Sequence, residues 1–330
     1  DGLHWNLLEI WRNILVGIRE ARRAEPTALG VSVDSWAVDY ALLRRDRVVG
    51  MPFHYRDARS VAGQNKVVEQ LGVAELFSRN GLQQMPFNTL YQLAMEGPLL
   101  QAADRLLLIP DLIGYFLTGR GVTERTNAST TGLLSVTSRE WDDHLISELG
   151  FPRRLFGELA DPGSHVGRLL PGVKDLVGGD LAVTTVGSHD TASAVVGTPL
   201  EDEGAAYISC GTWGLVGLEL REPILSPAAR DAGFTNEGGV DGRVRFLRNV
   251  MGLWVLSETL RAWEREGLDH DLPSLLEAAA AEGQPGVVFD ANDARFFPPG
   301  DMSTRIRDWC SEQDLAPPRT GPQVVRSIVE

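Results

Sequence analysis

Leu181 to Val186 is a short apolar run with β-branched residues, and Thr191 to Val196 is rich in small residues and compatible with a helix. Only Gly187-Ser188-His189-Asp190 separates them. A carboxylate therefore sits where a strand ends. In open α/β sheets ligands bind beyond the carboxyl ends of the strands, so Asp190 is the first candidate for a reacting group. Asp is also a favoured helix cap, and these residues alone leave both readings open.

A chain of 330 residues exceeds one ordinary core, so two domains are expected. The breaker-rich stretch Gly197-Thr198-Pro199-Leu200-Glu201-Asp202-Glu203-Gly204 reads as their boundary. A formal net charge of −14, with no Lys/Arg run to offset it locally, argues against nucleic acid as a partner. No apolar run reaches the roughly 18 residues of a membrane span, and no export signal is seen, so no membrane association is expected. Cys210 and Cys310 show neither a disulfide framework nor zinc-ligand spacing, and a cytoplasmic location follows as the expectation. The chain starts at Asp1 rather than Met, and its last segment opens at Gly321-Pro322 and stops without a cap, which reads as a piece cut at both ends.

Leu7, Trp11, Ile14, Leu15 and Ile18 recur at helical spacing, and Pro26 ends that helix. Residues 29–33, 40–43 and 48–49 read as short strands in a hairpin arrangement. Between the first two, Asp34 and Asp39 flank Trp36 in an apolar context, which needs either partners or a ligand. Arg56 is read as a surface ion pair with Asp57 or Asp39, or as a fork onto a hydroxyl or a carboxylate. The hydroxyl-rich 126–131 stretch either turns or holds a polyol. Residues 61–76, 89–96, 249–263 and 272–281 read as helices, 162–171 as loop, and 205–209 with 215–220 as strands joined at Gly211-Thr212. Gly211 lets backbone approach an anion and Thr212 offers a donor, although a plain hairpin turn accounts for both residues as well.

Ser188, His189 and Asp190 are the residue types of a hydrolase triad, but neighbours in an extended segment point to opposite faces and cannot align. No nucleophile elbow, metal-binding His pair, phosphate-binding Gly/Lys loop or dinucleotide turn is present. A carboxylate at a strand end facing a hydroxylated substrate, with a Gly-Thr turn facing phosphates, is the arrangement of phosphoryl transfer.

Six ordered segments carry a family resemblance: Phe87-Asn88-Thr89-Leu90-Tyr91-Gln92, Thr126-Asn127-Ala128-Ser129-Thr130, Gly187 to Ala194, Ser209-Cys210-Gly211-Thr212-Trp213, Asn236-Glu237-Gly238-Gly239 and Asn249 to Trp254. Together the chain resembles the FGGY carbohydrate kinases. The Ser-His-Asp-Thr and Asn-Glu-Gly-Gly forms point within the family to the branch that phosphorylates L-rhamnulose. The resemblance implies an α/β, two-domain actin/ribonuclease-H-like fold, incomplete at both ends. Residues 1–198 would form a sugar-binding domain without its first strands, and 199–330 a truncated ATP-binding domain, with sugar and ATP meeting between them.

It further implies that Asp190 is the general base acting on the 1-hydroxyl of L-rhamnulose, with ATP and Mg2+ as cofactors. Ala37, His189, Thr191 and Asn249 would contact sugar, and Thr212 and Ser257 nucleotide. Three departures stand against this pattern. Ala37 occupies a position where relatives usually carry Gly, Ser257 one where a Gln can contact nucleotide, and the family's N-terminal phosphate loop and C-terminal adenosine loop are absent from these residues. The alternatives are a kinase for another ketose or polyol, or an inactive sugar-binding relative, and this stretch alone is expected to lack activity.

Overall fold

The computed structural model describes residues 2–202, 204–268, 271–283 and 286–330; of the expected boundary stretch, Glu203 lies outside them. The chain divides into two compact units. One comprises Asp1–Ala206 and Gly217–Leu247, the other Tyr207–Val216 and Arg248–Glu330.

In the first unit, the strand Tyr40–Arg44 lies between Arg47–Val48 and Arg105–Leu108, antiparallel to both. Arg45 and Asp46 take φ of 49° and 60°, the left-handed pair that a tight hairpin requires. Tyr40 and Leu42 enter one apolar core and Ala41 and Leu43 another, because successive strand residues point to opposite faces. Both faces are therefore covered, which accounts for the unbroken apolar run. The strand at Gly30–Val31 departs from the expected hairpin. It pairs in parallel with Ala182–Thr184, 152 residues later, in a separate three-stranded sheet completed by His165–Arg168.

That third strand lies where a loop is expected. Only Val166 of its four residues is buried, and the register shifts between His165 and Gly167, so no alternating pattern advertises it. The helices Leu7–Ala24, Ile109–Thr118 and Pro171–Val177 supply apolar side chains to the core over this sheet. The first begins at Asn6, whose side chain accepts the Glu9 N–H, and ends two residues before Pro26 as expected. The 61–76 helix divides at Gly72 (φ 78°) into Arg59–Leu71 and Val73–Asn80. At Gly63 a Cβ would meet the Tyr91 carbonyl oxygen at 2.0 Å, so glycine is what lets Arg59–Leu71 lie against Thr89–Leu93.

The second unit is built mainly from the helices Gly252–Arg265, Leu272–Ala281, Met302–Glu312 and Gly321–Val329. Trp254 and Trp263 are buried on the first, and the Trp254 indole donates to the Phe296 carbonyl. Asn249 and Val250 belong to the strand Val244–Val250, not to this helix, which starts at Gly252. Met302–Glu312 has no counterpart among the expected elements, although Met302, Ile306 and Cys310 are buried at four-residue spacing behind an Asp301 cap. Both cysteines are free, Cys210 exposed and Cys310 buried. No helix among the described residues is long and apolar enough to cross a membrane.

Candidate active site

The strand Ala182–Thr184 delivers the chain to Ser188, and a helix occupies Asp190–Val196. His189, not Asp190, is the cap residue, and Asp190 is the first helical residue, so of the two readings left open for Asp190 capping is not the one the geometry shows. Its Oδ1 accepts the Thr191 hydroxyl at 3.2 Å and lies 3.6 Å from His189 Nε2. More than half of the Asp190 side chain, 57%, is open to solvent. Two backbone bonds hold the turn to the Ser35–Ala37 segment: Asp190 N–H donates to the Ser35 carbonyl and Ser35 N–H to the Ser188 carbonyl. The fold thereby brings Ala37's segment alongside His189, Asp190 and Thr191.

His189 rests on two buried charges absent from the sequence-based site. Its Nδ1 lies 3.0 Å from Arg245 Nη2 and 3.2 Å from Glu237 Oε2, and those two atoms are 3.1 Å apart. Arg245 is fully buried, and it also donates to the Gly238 carbonyl. Burial works to raise the Glu237 carboxyl, but Arg245 and His189 outweigh it and hold the group below the usual glutamate range. The antiparallel pair Thr235–Gly238 and Val244–Val250 creates this arrangement, with Glu237 opposite Arg245 in register. Cross-strand pairing of opposite charges favours that register.

The pairing explains the Asn-Glu-Gly-Gly motif physically. Asn236 bonds through its amide to the carbonyls of Gly81 and Ile224, and accepts from the Ile224 N–H. Gly238 brings its N–H to the Ser129 hydroxyl at 2.7 Å, where a Cβ would press on the same hydroxyl at 3.1 Å. The hydroxyls of 126–131 are spent locally: Ser129 donates to Thr126 O, Thr130 to Asn127 O, Thr131 to Ala128 O, and Thr126 to Glu124.

Asp34 is exposed, contrary to the apolar context expected for it, whereas Asp39 is buried. Asp39 accepts from the indoles of Trp5 (2.6 Å) and Trp36 (3.0 Å), from the Tyr55 N–H and from the Gln92 amide. All four donors are neutral. Thr89 and Gln92 also bond the carbonyl of Val38, whose φ of 65° is a strained conformation for a β-branched residue. That gives the Phe87–Gln92 motif a role: it fixes the turn beside Ala37. The Arg56 guanidinium lies 5.1 Å from the Tyr55 ring centre. Beside it, burial first and the Arg56 charge second push His54 down to about 4.

Burial pushes the Asp39 carboxyl up to about 7, against the four bonds that work to lower it. The unfolded group loses its proton near 3.8 and the folded group near 7. Over that window the native state holds the extra proton, so this group's contribution to stability is full below the lower value and lost as pH rises through the upper one. The shift corresponds to about 4 kcal/mol. In chemical denaturation, the stability of the unsubstituted protein relative to Asp39→Asn should fall by about that amount between pH 4 and 8. An unchanged difference would show that Asp39 ionises normally.

The remaining sequence-predicted residues lie in the second unit. Thr212 is exposed in the turn between Ala206–Cys210 and Gly214–Leu220, where Gly211 N–H donates to the Trp213 carbonyl. Asn249 is partly buried, and its carbonyl accepts from the Asn292 amide at 2.7 Å. Ser257, on Gly252–Arg265, donates its hydroxyl to the Leu253 carbonyl one turn back. Among the described residues no group of three or more His, Cys, Asp or Glu side chains forms a metal cage.

Residues 3–197 match the N-terminal domain and residues 206–330 the C-terminal domain of the FGGY family of carbohydrate kinases. The rhamnulokinase of Pectobacterium carotovorum subsp. carotovorum (strain PC1) is 42% identical over an aligned stretch of 332 positions that covers 99% of this chain and 65% of that protein. The rhamnulokinase of Oceanobacillus iheyensis (strain DSM 14371 / CIP 107618 / JCM 11309 / KCTC 3954 / HTE831) is 38% identical over an aligned stretch of 332 positions that covers 98% of this chain and 69% of its own length. The chain thus spans slightly under two thirds of the Pectobacterium carotovorum relative. Among solved structures, ligand-bound xylulose kinase from Lactobacillus acidophilus superposes with a TM-score of 0.75 at 15% identity, covering 99% of this chain and 67% of that one. Plasmodium falciparum glycerol kinase with ADP gives 0.69 at 13% identity, covering 95% and 71%. At such identities the likeness speaks of fold.

Proposed function

Because this chain belongs to the FGGY family of carbohydrate kinases, we propose that the full-length gene product transfers the γ-phosphoryl group of ATP to the 1-hydroxyl of L-rhamnulose, giving L-rhamnulose 1-phosphate. Its fold is the actin/ribonuclease-H-like α/β fold of these sugar kinases. The observation that carries the chemistry is Asp190, a carboxylate more than half open to solvent just beyond a strand end, beside the His189 ring and the Thr191 hydroxyl. The rhamnulokinases at 38–42% identity support the choice of sugar.

In this reading Asp190 accepts the proton of the sugar 1-hydroxyl as that oxygen attacks the γ-phosphorus. A sugar hydroxyl is a weak nucleophile near neutral pH, and a carboxylate aimed at its proton helps as the bond to phosphorus forms. His189 and Thr191 hold hydroxyls beside the reacting one, with Ala37 and Asn249 as further sugar contacts. The Glu237–Arg245 pair holds the His189 ring at its Nδ1. We assign the sugar-binding domain to residues 1–198 and the ATP-binding domain, where Thr212 and Ser257 contact nucleotide, to 199–330; the compact units are drawn differently, with Gly217–Leu247 joining the first. The Ser257 hydroxyl donates to Leu253 and retains lone pairs to accept with.

Mg2+ enters with ATP. It prefers phosphate oxygens and water with one or two carboxylates to an all-protein cage. Its chemistry is neutralisation of phosphate charge.

The full-length protein, given ATP, Mg2+ and L-rhamnulose, should release ADP only when sugar is present and form a phosphate monoester at O1 visible by 31P NMR. Sugar binding without ADP release would mark an inactive relative and end the proposal.

A further inference from the structure

Glu124 closes the short strand Thr123–Glu124 and is completely buried. It accepts five hydrogen bonds: from Thr126 N–H (2.7 Å), Thr126 hydroxyl (2.6 Å), Asn127 N–H (3.0 Å), Ser188 N–H (3.0 Å) and Ser188 hydroxyl (2.9 Å). No cation pairs with it among the described residues. Four of the five donors, both Ser188 groups among them, converge on Oε2, and Thr126 N–H alone reaches Oε1. A buried charge that depends on neutral donors loses heavily if any one of them moves away.

Capping the helix Arg125–Ala128 accounts for the Thr126 and Asn127 bonds. It does not account for Ser188, which is 64 residues away in sequence and reaches Glu124 through both its backbone and its side chain. Ser188 stands two residues before Asp190, and its carbonyl accepts the Ser35 N–H. The reacting turn is thus clamped on two sides, by Ser35 and by Glu124. Behind Glu124, Asp111 Oδ1 accepts the Glu124 N–H at 3.1 Å. Burial, and then the neighbouring Glu124, raise Asp111 well above the usual carboxylate range.

Resting on the kinase reading above, we propose that Glu124 is a positioning residue for phosphoryl transfer: through its paired bonds to Ser188 it sets where the Asp190 carboxylate stands relative to the sugar hydroxyl. Displacement of a reacting group by about 1 Å can cost on the order of 100-fold in rate, while sugar contacts made by other residues persist.

The test compares the unsubstituted full-length protein with Ser188→Ala, which removes one of the five bonds and spares the helix cap, and Glu124→Gln, which places a donor among donors. Steady-state kcat, the calorimetric Kd for L-rhamnulose without nucleotide, and the melting temperature are measured for each. The expected result is a fall in kcat of about tenfold for Ser188→Ala and about 100-fold for Glu124→Gln, with sugar Kd within threefold and Ser188→Ala melting near the unsubstituted protein. Unchanged kcat in both variants overturns the assignment. So does a fall in kcat matched by lost sugar affinity and lower melting, the pattern of a purely structural residue. Turnover by the unsubstituted protein bears on the kinase reading, and the variant-to-unsubstituted ratio bears on Glu124.

Discussion

Asp190→Asn is expected to lower kcat about 1,000-fold while leaving the Kd for L-rhamnulose within a few-fold of the unsubstituted value. Asn keeps the shape of Asp and one acceptor oxygen, so the Thr191 hydroxyl retains its partner and sugar contacts are preserved. What is lost is the ability to take a proton from the attacking hydroxyl. Positioned proton transfer is worth roughly 100- to 10,000-fold, and the residual rate reports the positioning that survives. Paired measurements of kcat and calorimetric Kd read this directly. Undiminished turnover would remove Asp190 from the reaction, and lost affinity would recast it as a binding residue.

The second large effect lies beneath His189. Arg245→Met removes the cation from a buried pair and leaves the Glu237 carboxylate uncompensated, a change that costs about 3–5 kcal/mol. Melting should fall by roughly 10 °C, taking about 2–4 °C per kcal/mol for a domain of this size. Adding Glu237→Leu removes the stranded charge, and replacing a buried ion pair by apolar groups is often close to neutral. The double variant should therefore recover most of the stability. It should not recover sugar affinity, because His189 Nδ1 then has neither of its partners. Differential scanning calorimetry and sugar titration on the single and double variants separate the two effects. Recovery of both properties would mean that the ion pair does not position His189.

The legible and illegible parts of the site divide by range of interaction. The step from strand to helix around Asp190 is local, carried by β-branched residues on one side and small residues on the other, and it stands where the composition puts it. The same local signals misplace Asn249: the apolar periodicity of the helix continues backward through Met251, while pairing with a neighbouring strand claims the residues before it. The strand His165–Arg168 is hidden because a single buried Val gives no alternation.

Glu124, Glu237 and Arg245 are invisible to spacing arguments for a different reason. Their partners are brought together by the fold, Glu124 with Ser188 across 64 positions and Arg245 with His189 across 56. Nothing in the neighbourhood of a buried Glu or Arg in sequence says that it will be buried. The usable signal was indirect: a charged residue inside Asn-Glu-Gly-Gly, where two glycines announce close backbone approach. Asp39 shows the intermediate case. Its position in an apolar stretch demands partners, but the identity of those partners, two indoles, an amide and a backbone N–H, emerges only from packing.

Sugar choice turns on the segment of Ser35 to Ala37, whose Ser35 backbone is bonded to Ser188 and Asp190 in the turn that carries the reacting carboxylate. The most direct measurement is a competition assay in which the full-length protein, ATP and Mg2+ meet equal concentrations of L-rhamnulose, L-fuculose, xylulose and glycerol, with each phosphorylated product quantified. L-Rhamnulose 1-phosphate is predicted to dominate, its kcat/KM exceeding that of every competitor by at least about tenfold, a difference of about 1.4 kcal/mol in transition-state binding. Preferred phosphorylation of any of the other three would contradict it.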